Sequence, residues 1–321
     1  MNPIALRRHP LKFYFLIFFL TIFCCALGGF ILWVGIRSAE RRENGFVTMT
    51  AFSLFFILLG IFSLYKYFRN TPIVKTDQYQ VTFNDTEAYE WNELESAELT
   101  GKQPFRYLFS YKMEGMVLRF KNGKVKYLFD DFYVNLSEIK SFIQQVIIDR
   151  QTTFTYQSEV VEENQNIPET FAAFKGNQFT SLRGIMLWSL YAVIIFMFIL
   201  RPGYLDNINI PKFISFFGLF CIAWYYFNSL LLNYFLVSEH YLAVKNHNLP
   251  WRKKLYRLED VKEVAIETQG KMPNSLRIIT KDFRSKVFPG GTLNDRQWLA
   301  LKEKLNSKSI TVRNDSPFLS I

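Results

Sequence analysis

The chain alternates between long, unbroken apolar runs and stretches in which apolar positions recur every second, or every third to fourth, residue. Four runs are apolar on every face: about Phe13 to Ile36, about Phe46 to Tyr65, Gly184 to Leu200, and about Phe213 to Val237. None contains a charged residue. At a rise of ~1.5 Å per residue each crosses, or nearly crosses, a ~30 Å hydrocarbon layer. The third is the shortest and needs its flanks low in the interface. A helix in a soluble core seldom stays apolar all round for so long. The pattern predicts four transmembrane helices in two hairpins, with short tips at Arg37–Gly45 and Arg201–Lys212. Arg7 and Arg8 give the first run the basic start of a signal peptide. Its length and the lack of a small-x-small cleavage site before Arg37 favour a retained anchor.

Between and after the hairpins the pattern changes to period two. Gln78–Phe83 alternates, Asn84-Asp85 marks a turn before Glu87–Trp91, and Leu94–Leu99, Arg106–Lys112 and Met116–Phe120 follow as strand-like pieces. Asn122-Gly123 then separates Val117–Lys121 from Lys124–Phe129, a strong two-residue hairpin signal. Ser137–Arg150 carries Ile139, Phe142, Ile143, Val146 and Ile147 as one helical stripe, with Asn135 or Ser137 as its N-cap. The same order returns after the fourth run. Val237–Val244 echoes Ile73–Val81, Tyr256–Val264 echoes Trp91–Leu99, and Leu276-Arg277-Ile278 echoes Leu118-Arg119-Phe120. A last helix, capped near Asn294, aligns Trp298, Leu301 and Leu305. A hairpin followed by the same module, twice, reads as an internal duplication. The expected layout is hairpin 1 at 1–70, a sheet domain at 71–150, a polar linker at 151–180, hairpin 2 at 181–237, a second sheet domain at 238–312 and a tail at 313–321.

Two apolar helices come first in each half. A strand opening on tyrosine (Tyr79, Tyr241) follows, then Trp91-Asn92-Glu93-Leu94 or Leu258-Glu259-Asp260-Val261 leading into a longer strand, a hairpin and a closing helix. This order, covering most of the chain as two copies, resembles bacterial membrane-flanked proteins with PH-like domains. The first copy departs from it by an extra strand-like piece, Arg106–Met113. The resemblance implies a PH-like fold in each soluble domain, seven strands and a C-terminal helix, used for binding or assembly. The fold class expected is therefore membrane α-helical plus two α+β, mainly-β, PH-like soluble domains. It also implies a bacterial inner, cytoplasmic membrane.

Charge sets the orientation and narrows the partners. The N-terminal side of the hairpins carries Arg7, Arg8, Lys12, Lys66, Arg69, Lys75, Lys175 and Arg183 near the membrane, against Arg37, Arg41, Arg42, Arg201 and Lys212 at the tips. Eight against five places both termini and both sheet domains in the cytoplasm. The formal charge of +10 is unevenly spread: 71–155 holds 10 Lys and Arg against 12 Asp and Glu, and 237–321 holds 16 against 9. A basic excess confined to one half of a tethered chain points to anionic lipid or an acidic partner rather than nucleic acid. The partners expected are the bilayer and a protein partner or oligomer.

Candidate chemistry is sparse. The three histidines, His9, His240 and His247, have no Cys, Asp or Glu at metal-ligand spacing. No phosphate loop or nucleophile elbow occurs, and Asp130-Asp131 reads as a turn or cap. No catalytic residue, metal or cofactor is assigned. Asn-x-Ser/Thr triplets at Asn84, Asn135 and Asn314 face the wrong side for glycosylation in this orientation. Cys24, Cys25 and Cys221 read as small packing residues, with Cys25 and Gly29 as a small-xxx-small pair. The candidate binding cluster is Trp251, Arg252, Lys253, Lys254 and Arg257, suited to anionic headgroups or to a protein partner; its bland alternative is a solvated strand edge. In the fourth apolar run Asn228, Ser229 and Asn233 are read as interhelical hydrogen-bonding groups. The runner-up function, a transporter or channel component, would route a polar path past Asn228 and Asn233.

Overall fold

The computed structural model describes residues 3–40, 45–107, 110–156, 169–200, 210–268, 270 and 272–317. The chain divides into two units, Met1–Tyr156 and Gln157–Ile321.

Unit 1 opens with a short strand, β1 (Ile4–Ala5), then a π-helical turn, Pro10–Phe15, that runs into helix α1 (Leu16–Glu40). His9 caps that turn, its Nδ1 accepting from the amides of Leu11 and Lys12 at 3.2 Å each. Helix α2 (Phe46–Asn70) returns beside α1. Small residues set the contact: a Cβ on Gly28 would sit 2.8 Å from the Ser53 carbonyl oxygen, and one on Gly60 only 3.1 Å from the Cys24 Cβ. The expected Cys25–Gly29 pair is thus displaced by one position. Gly29 meets nothing within 4 Å, and the seam runs through Cys24 and Gly28. Outward-facing Phe15, Phe19, Phe23, Phe30 and Leu58 are exposed.

After α2 come β2 (Val74–Thr76), β3 (Gln80–Phe83) and β4 (Glu87–Glu90), which with β1 form an antiparallel sheet in the order β1-β2-β3-β4. Asn84 and Asp85 take positive φ (52° and 57°) in the β3–β4 turn, where Asn and Asp tolerate the left-handed region best among non-glycine residues. A 3-10 turn, Trp91–Glu93, leads into the second sheet: β5 (Leu94–Glu98), β6 (Lys102–Arg106), β7 (Ser110–Phe120) and β8 (Val125–Phe129), all pairing with β7. The expected extra piece, Arg106–Met113, straddles the β6–β7 connection, of which residues 108–109 lie outside the described ones. Helix α3 (Leu136–Phe142) and a π-helical segment, Ile143–Ile148, close the unit and bury Ile139, Phe142 and Ile143 of the expected stripe.

Unit 2 begins with β9 (Ala172–Phe174), inside the stretch read as linker. It pairs antiparallel with β10 (Asn233–Val237), which lies beyond helices α4 (Leu182–Leu200) and α5 (Ile210–Ser229). The fourth apolar run is therefore part helix and part strand. An apolar run that passes from a helix into a buried strand carries no periodicity break to reveal the join. Strands β11 (Tyr241–Asn246) and β12 (Lys253–Arg257) complete a sheet ordered β9-β10-β11-β12. After a 3-10 turn, Leu258–Asp260, come β13 (Val261–Glu267), β14 (Ser275–Thr280), β15 (Ser285–Pro289) and helix α6 (Asp295–Asn306). Asn294 caps α6 in a reciprocal pair with Gln297, as its N-terminal signal predicted. β16 (Thr311–Asp315), paired parallel with β13, crosses the boundary at 312/313 read between sheet domain and tail. The core gathers Phe235, Val244, Ile266 and Ile278 from the sheets with Trp298 and Leu301 from α6. Burying each such side chain is worth ~1.5–3 kcal/mol.

Among the described residues, two helical stretches, Pro10–Ala39 and Phe46–Asn70, have the length and composition to cross a membrane, where the sequence pattern predicted four. Leu182–Met197 is apolar but shorter. No sheet closes into a barrel among the described residues.

Candidate functional site

The best-built polar cluster of unit 2 sits where α5 meets the sheet. Ser229 ends the helix, and its carbonyl accepts from the Leu232 amide at 3.1 Å. Asn246, at the end of β11, adds a second bond to it: its Nδ2 donates to the Ser229 carbonyl at 2.7 Å and to Asn233 Oδ1 at 3.0 Å. Asn246 Oδ1 in turn accepts from the amides of Asn248 and Leu249, both at 3.0 Å, which folds the β11–β12 turn tightly. Asn248 Nδ2 reaches Ser229 Oγ at 3.0 Å, and Asn233 Nδ2 reaches the Pro289 carbonyl at 2.9 Å. Ser229, Asn233 and Asn246 are all buried.

This corrects the reading of Asn228, Ser229 and Asn233 as interhelical groups. Asn233 is on β10, past the helix end. Asn228 Nδ2 donates to the Trp224 carbonyl of its own helix at 2.9 Å. The bonds between α4 and α5 are made instead by Tyr191, whose hydroxyl donates to the Cys221 carbonyl at 2.7 Å, and by Trp224, whose Nε1 donates to the Leu187 carbonyl at 3.2 Å. A polar path needing Asn233 within the fourth helix loses that residue.

The basic cluster begins on the turn that these amides hold. Trp251 is 71% exposed, and Arg252 beside it is exposed, its backbone N–H bonded to the Leu249 carbonyl at 2.9 Å. From there β12 alternates faces, so the cluster divides. Lys253 pairs with Lys245, which pairs with Tyr234. Lys175 lies over the Tyr234 ring, 5.1 Å from its centroid. Lys253, Lys245, Tyr234 and Lys175 thus stand side by side, with exposed Trp251 and Arg252 on the adjoining turn. Lys254 pairs with Val244, a core residue, and so takes the opposite face. Arg257, at the far end of the strand, is 3.9 Å from Glu259. Lys245 and Lys253, directly opposite across strands, repel each other, and an anion above them would remove that cost.

His247, in the same turn, packs against Tyr234 with ring centroids 4.9 Å apart, and its Nε2 lies 3.2 Å from Thr292 Oγ1. Burial, helped by the Lys175 charge, lowers its pKa to about 4, so the ring is neutral near pH 7. His9 is consumed in its helical cap, and His240 Nδ1 bonds Glu169 Oε1 at 3.0 Å. Asp130 and Asp131 are engaged in ion pairs, with Lys140 and with Lys12 respectively. Sequence reading missed Asn246 and Asn248, whose only local signal is the run Asn246-His247-Asn248 between two strands. It also missed that Lys245 reaches the cluster through strand pairing and Lys175 through its contact with the Tyr234 ring. No protein-family model matches the chain, and no curated protein is significantly similar to it.

Proposed function

We propose a non-enzymatic integral membrane protein of four spans, whose two sheet domains are copies of one PH-like module and whose second domain docks on anionic lipid headgroups. The observation that carries the docking is the amide network: Asn246 and Asn248 bond the β11–β12 turn directly to Ser229, the last residue of an apolar helix. Wherever that helix leaves the hydrocarbon, Trp251, Arg252 and Lys253 are held close to the headgroups. Each cation near an anionic surface is worth ~1 kcal/mol, within a Debye length of ~8 Å. An exposed Trp is suited to the interfacial layer.

Three features support the repeated module. Both units run strand, two helices, three strands, 3-10 turn, further strands and helix. In both, the strand before the helices pairs with the first strand after them. Strands β9 to β15 with α6 make seven strands and a closing helix, the count expected of a PH-like domain. Four spans follow from the second pair of helices, α4 and α5, occupying the position that α1 and α2 hold in the first. Both domains then lie on the cytoplasmic side, where the basic residues are in excess.

The test is hydrogen–deuterium exchange on the full chain in nanodiscs of phosphatidylglycerol or of phosphatidylcholine. Residues 247–257 are expected to exchange more slowly in the anionic discs, with the protection lost at high salt and in the double variant Arg252→Gln, Lys253→Gln. Identical exchange in the two lipids would remove the lipid reading and leave a protein partner for this face.

A further inference from the structure

Strand β7 is longer than the sheet around it. Residues 115–120 pair with β8 and β5, whereas residues 110–114 pair only with β6 among the described residues. The register runs from Lys102 opposite Glu114 to Arg106 opposite Ser110. At ~3.4 Å per residue the β6–β7 arm therefore projects ~14 Å beyond the rest of its sheet. Alternation gives the arm two faces. Gln103, Phe105, Tyr111 and Met113 share one, and Pro104, Arg106 and Lys112 share the other. Phe105 is fully buried, with its ring centroid 5.2 Å from that of Tyr111. Arg106 and Lys112 are exposed.

The aromatic face lies on helix α2. Tyr67 of that helix meets the rings of Phe105 and Tyr107 with centroids 5.4 and 5.3 Å apart. Ser63 Oγ and the Tyr107 hydroxyl are hydrogen-bonded to each other, and Asn70 Nδ2 donates to the Arg106 carbonyl. Ser63, Tyr67 and Asn70 stand four and three residues apart, so they form one stripe along the last two turns of α2. From Arg106 to Tyr107 the arm thus advances from the end of the helix back toward its apolar part.

That stripe sets a depth. The apolar run from Phe46 to Tyr65 is ~30 Å long, the thickness of a hydrocarbon layer, and Ser63 falls in its last turn. At the same level Ile61 and Phe62 turn outward, 54% and 39% exposed, surface that lipid covers when α2 spans. Two cations follow and reach back over aromatic rings. Lys66 Nζ is 5.4 Å from the Phe62 centroid, and Arg69 Nη1 donates to the Tyr65 hydroxyl at 3.1 Å. Long basic side chains beside aromatic rings are characteristic of the headgroup region.

We propose that the β6–β7 arm enters the headgroup layer of a phospholipid bilayer beside α2, with Tyr107 at the border of the hydrocarbon and Tyr111, Arg106 and Lys112 among the headgroups. The arm goes no deeper because β6 pairs with β7 alone, and a bare strand edge is not tolerated in hydrocarbon. Asn70 satisfies the Arg106 carbonyl, and Pro104 has no amide hydrogen to satisfy. The exposed cations then face lipid phosphates, each worth ~1 kcal/mol near an anionic surface. The inference rests on α2 crossing the bilayer and takes nothing from the docking turn of unit 2.

Spin labelling of the full chain in phospholipid nanodiscs tests it, with Cys24, Cys25 and Cys221 replaced by alanine. Single labels are placed at Arg106→Cys and Lys112→Cys. The references are Leu58→Cys, on the outward side of α2, and Lys124→Cys, in the turn at the far end of β7. The Arg106 label is expected to collide several-fold less often with a water-soluble nickel chelate than the Lys124 label does, and more often with oxygen; the Lys112 label falls between them. Arm labels as open to nickel as Lys124, with Leu58 shielded, overturn the inference and leave α2 in the bilayer. Loss of both nickel and oxygen collisions at Arg106 marks contact with protein and overturns it equally. A Leu58 label open to nickel removes the spanning helix, and the inference falls with it.

Discussion

Replacing Asn246 tests whether the join between α5 and the sheet is held by the amide network. The side chain is 4% exposed and makes four hydrogen bonds: two donated by Nδ2, to Ser229 O and Asn233 Oδ1, and two accepted by Oδ1, from Asn248 N and Leu249 N. Asn246→Ala removes the bonds to Asn233 Oδ1 and to the Asn248 and Leu249 amides, while the Ser229 carbonyl keeps its bond from the Leu232 amide. A buried group left unpaired costs ~1–3 kcal/mol, and contacts sharing one side chain do not add in full, so the loss is about 4 kcal/mol. For a domain of this size that lowers Tm by about 8–16 °C. Asn246→Asp retains the two acceptor bonds but faces the Ser229 and Asn233 oxygens with a negative charge, so it falls at least as far. Asn248→Ala removes one partly buried bond to Ser229 Oγ and costs about 1 kcal/mol. The assay is thermal unfolding in detergent, followed by circular dichroism. A Tm for Asn246→Ala equal to that of Asn248→Ala would refute the reasoning, because the buried and the partly buried amides would then be equivalent.

Two further outcomes follow from packing and titration. Gly28→Val drives a side chain into the Ser53 carbonyl and is expected to spread the first helical pair and abolish a monodisperse elution profile, whereas Gly29→Val, with nothing within 4 Å, leaves that profile unchanged. His247, whose folded pKa lies below the unfolded value of ~6.5 because burial disfavours the charged ring, contributes stability above pH 6.5 that is lost as the pH falls toward about 4. Tm measured from pH 7 to pH 4 is expected to fall less steeply in His247→Gln than in the parent; parallel curves would show that His247 is not the group titrating.

The parts of the fold that proved legible in the sequence are those set by local chemistry. Asn122-Gly123 lies in the expected turn with Gly123 at φ 77°, although the loop closes between Phe120 and Lys124 with three residues rather than two, and the Trp298, Leu301 and Leu305 stripe is buried as its spacing predicts. Three of the strands that were missed share one physical reason. Each of β9, β10 and β16 is defined by a partner far along the chain rather than by its own pattern. Ala172–Phe174 is only three residues long, Asn233–Val237 is as apolar as the helix before it, and Thr311–Asp315 is largely polar. The candidate site shows the same limit. Trp251-Arg252-Lys253-Lys254 is conspicuous as a run, but strand alternation splits it between two faces. What stands beside Lys253, Lys245 across the sheet and Lys175 over the Tyr234 ring, is fixed by strand pairing and ring contact that no local window shows.

The way each sheet begins has a consequence for biosynthesis. Phe174 finds its partner at Phe235, about sixty residues later, and both α4 and α5 lie between them. At ~5–20 residues per second the ribosome needs some seconds to deliver the second half of that pairing. Until both helices have been placed, β9 has nothing to bond and the edge of β10 is bare, a state prone to misassociation. In the four-span arrangement proposed above, β9 and β10 meet only once both helices have crossed and returned, so closure of this sheet would report on their insertion.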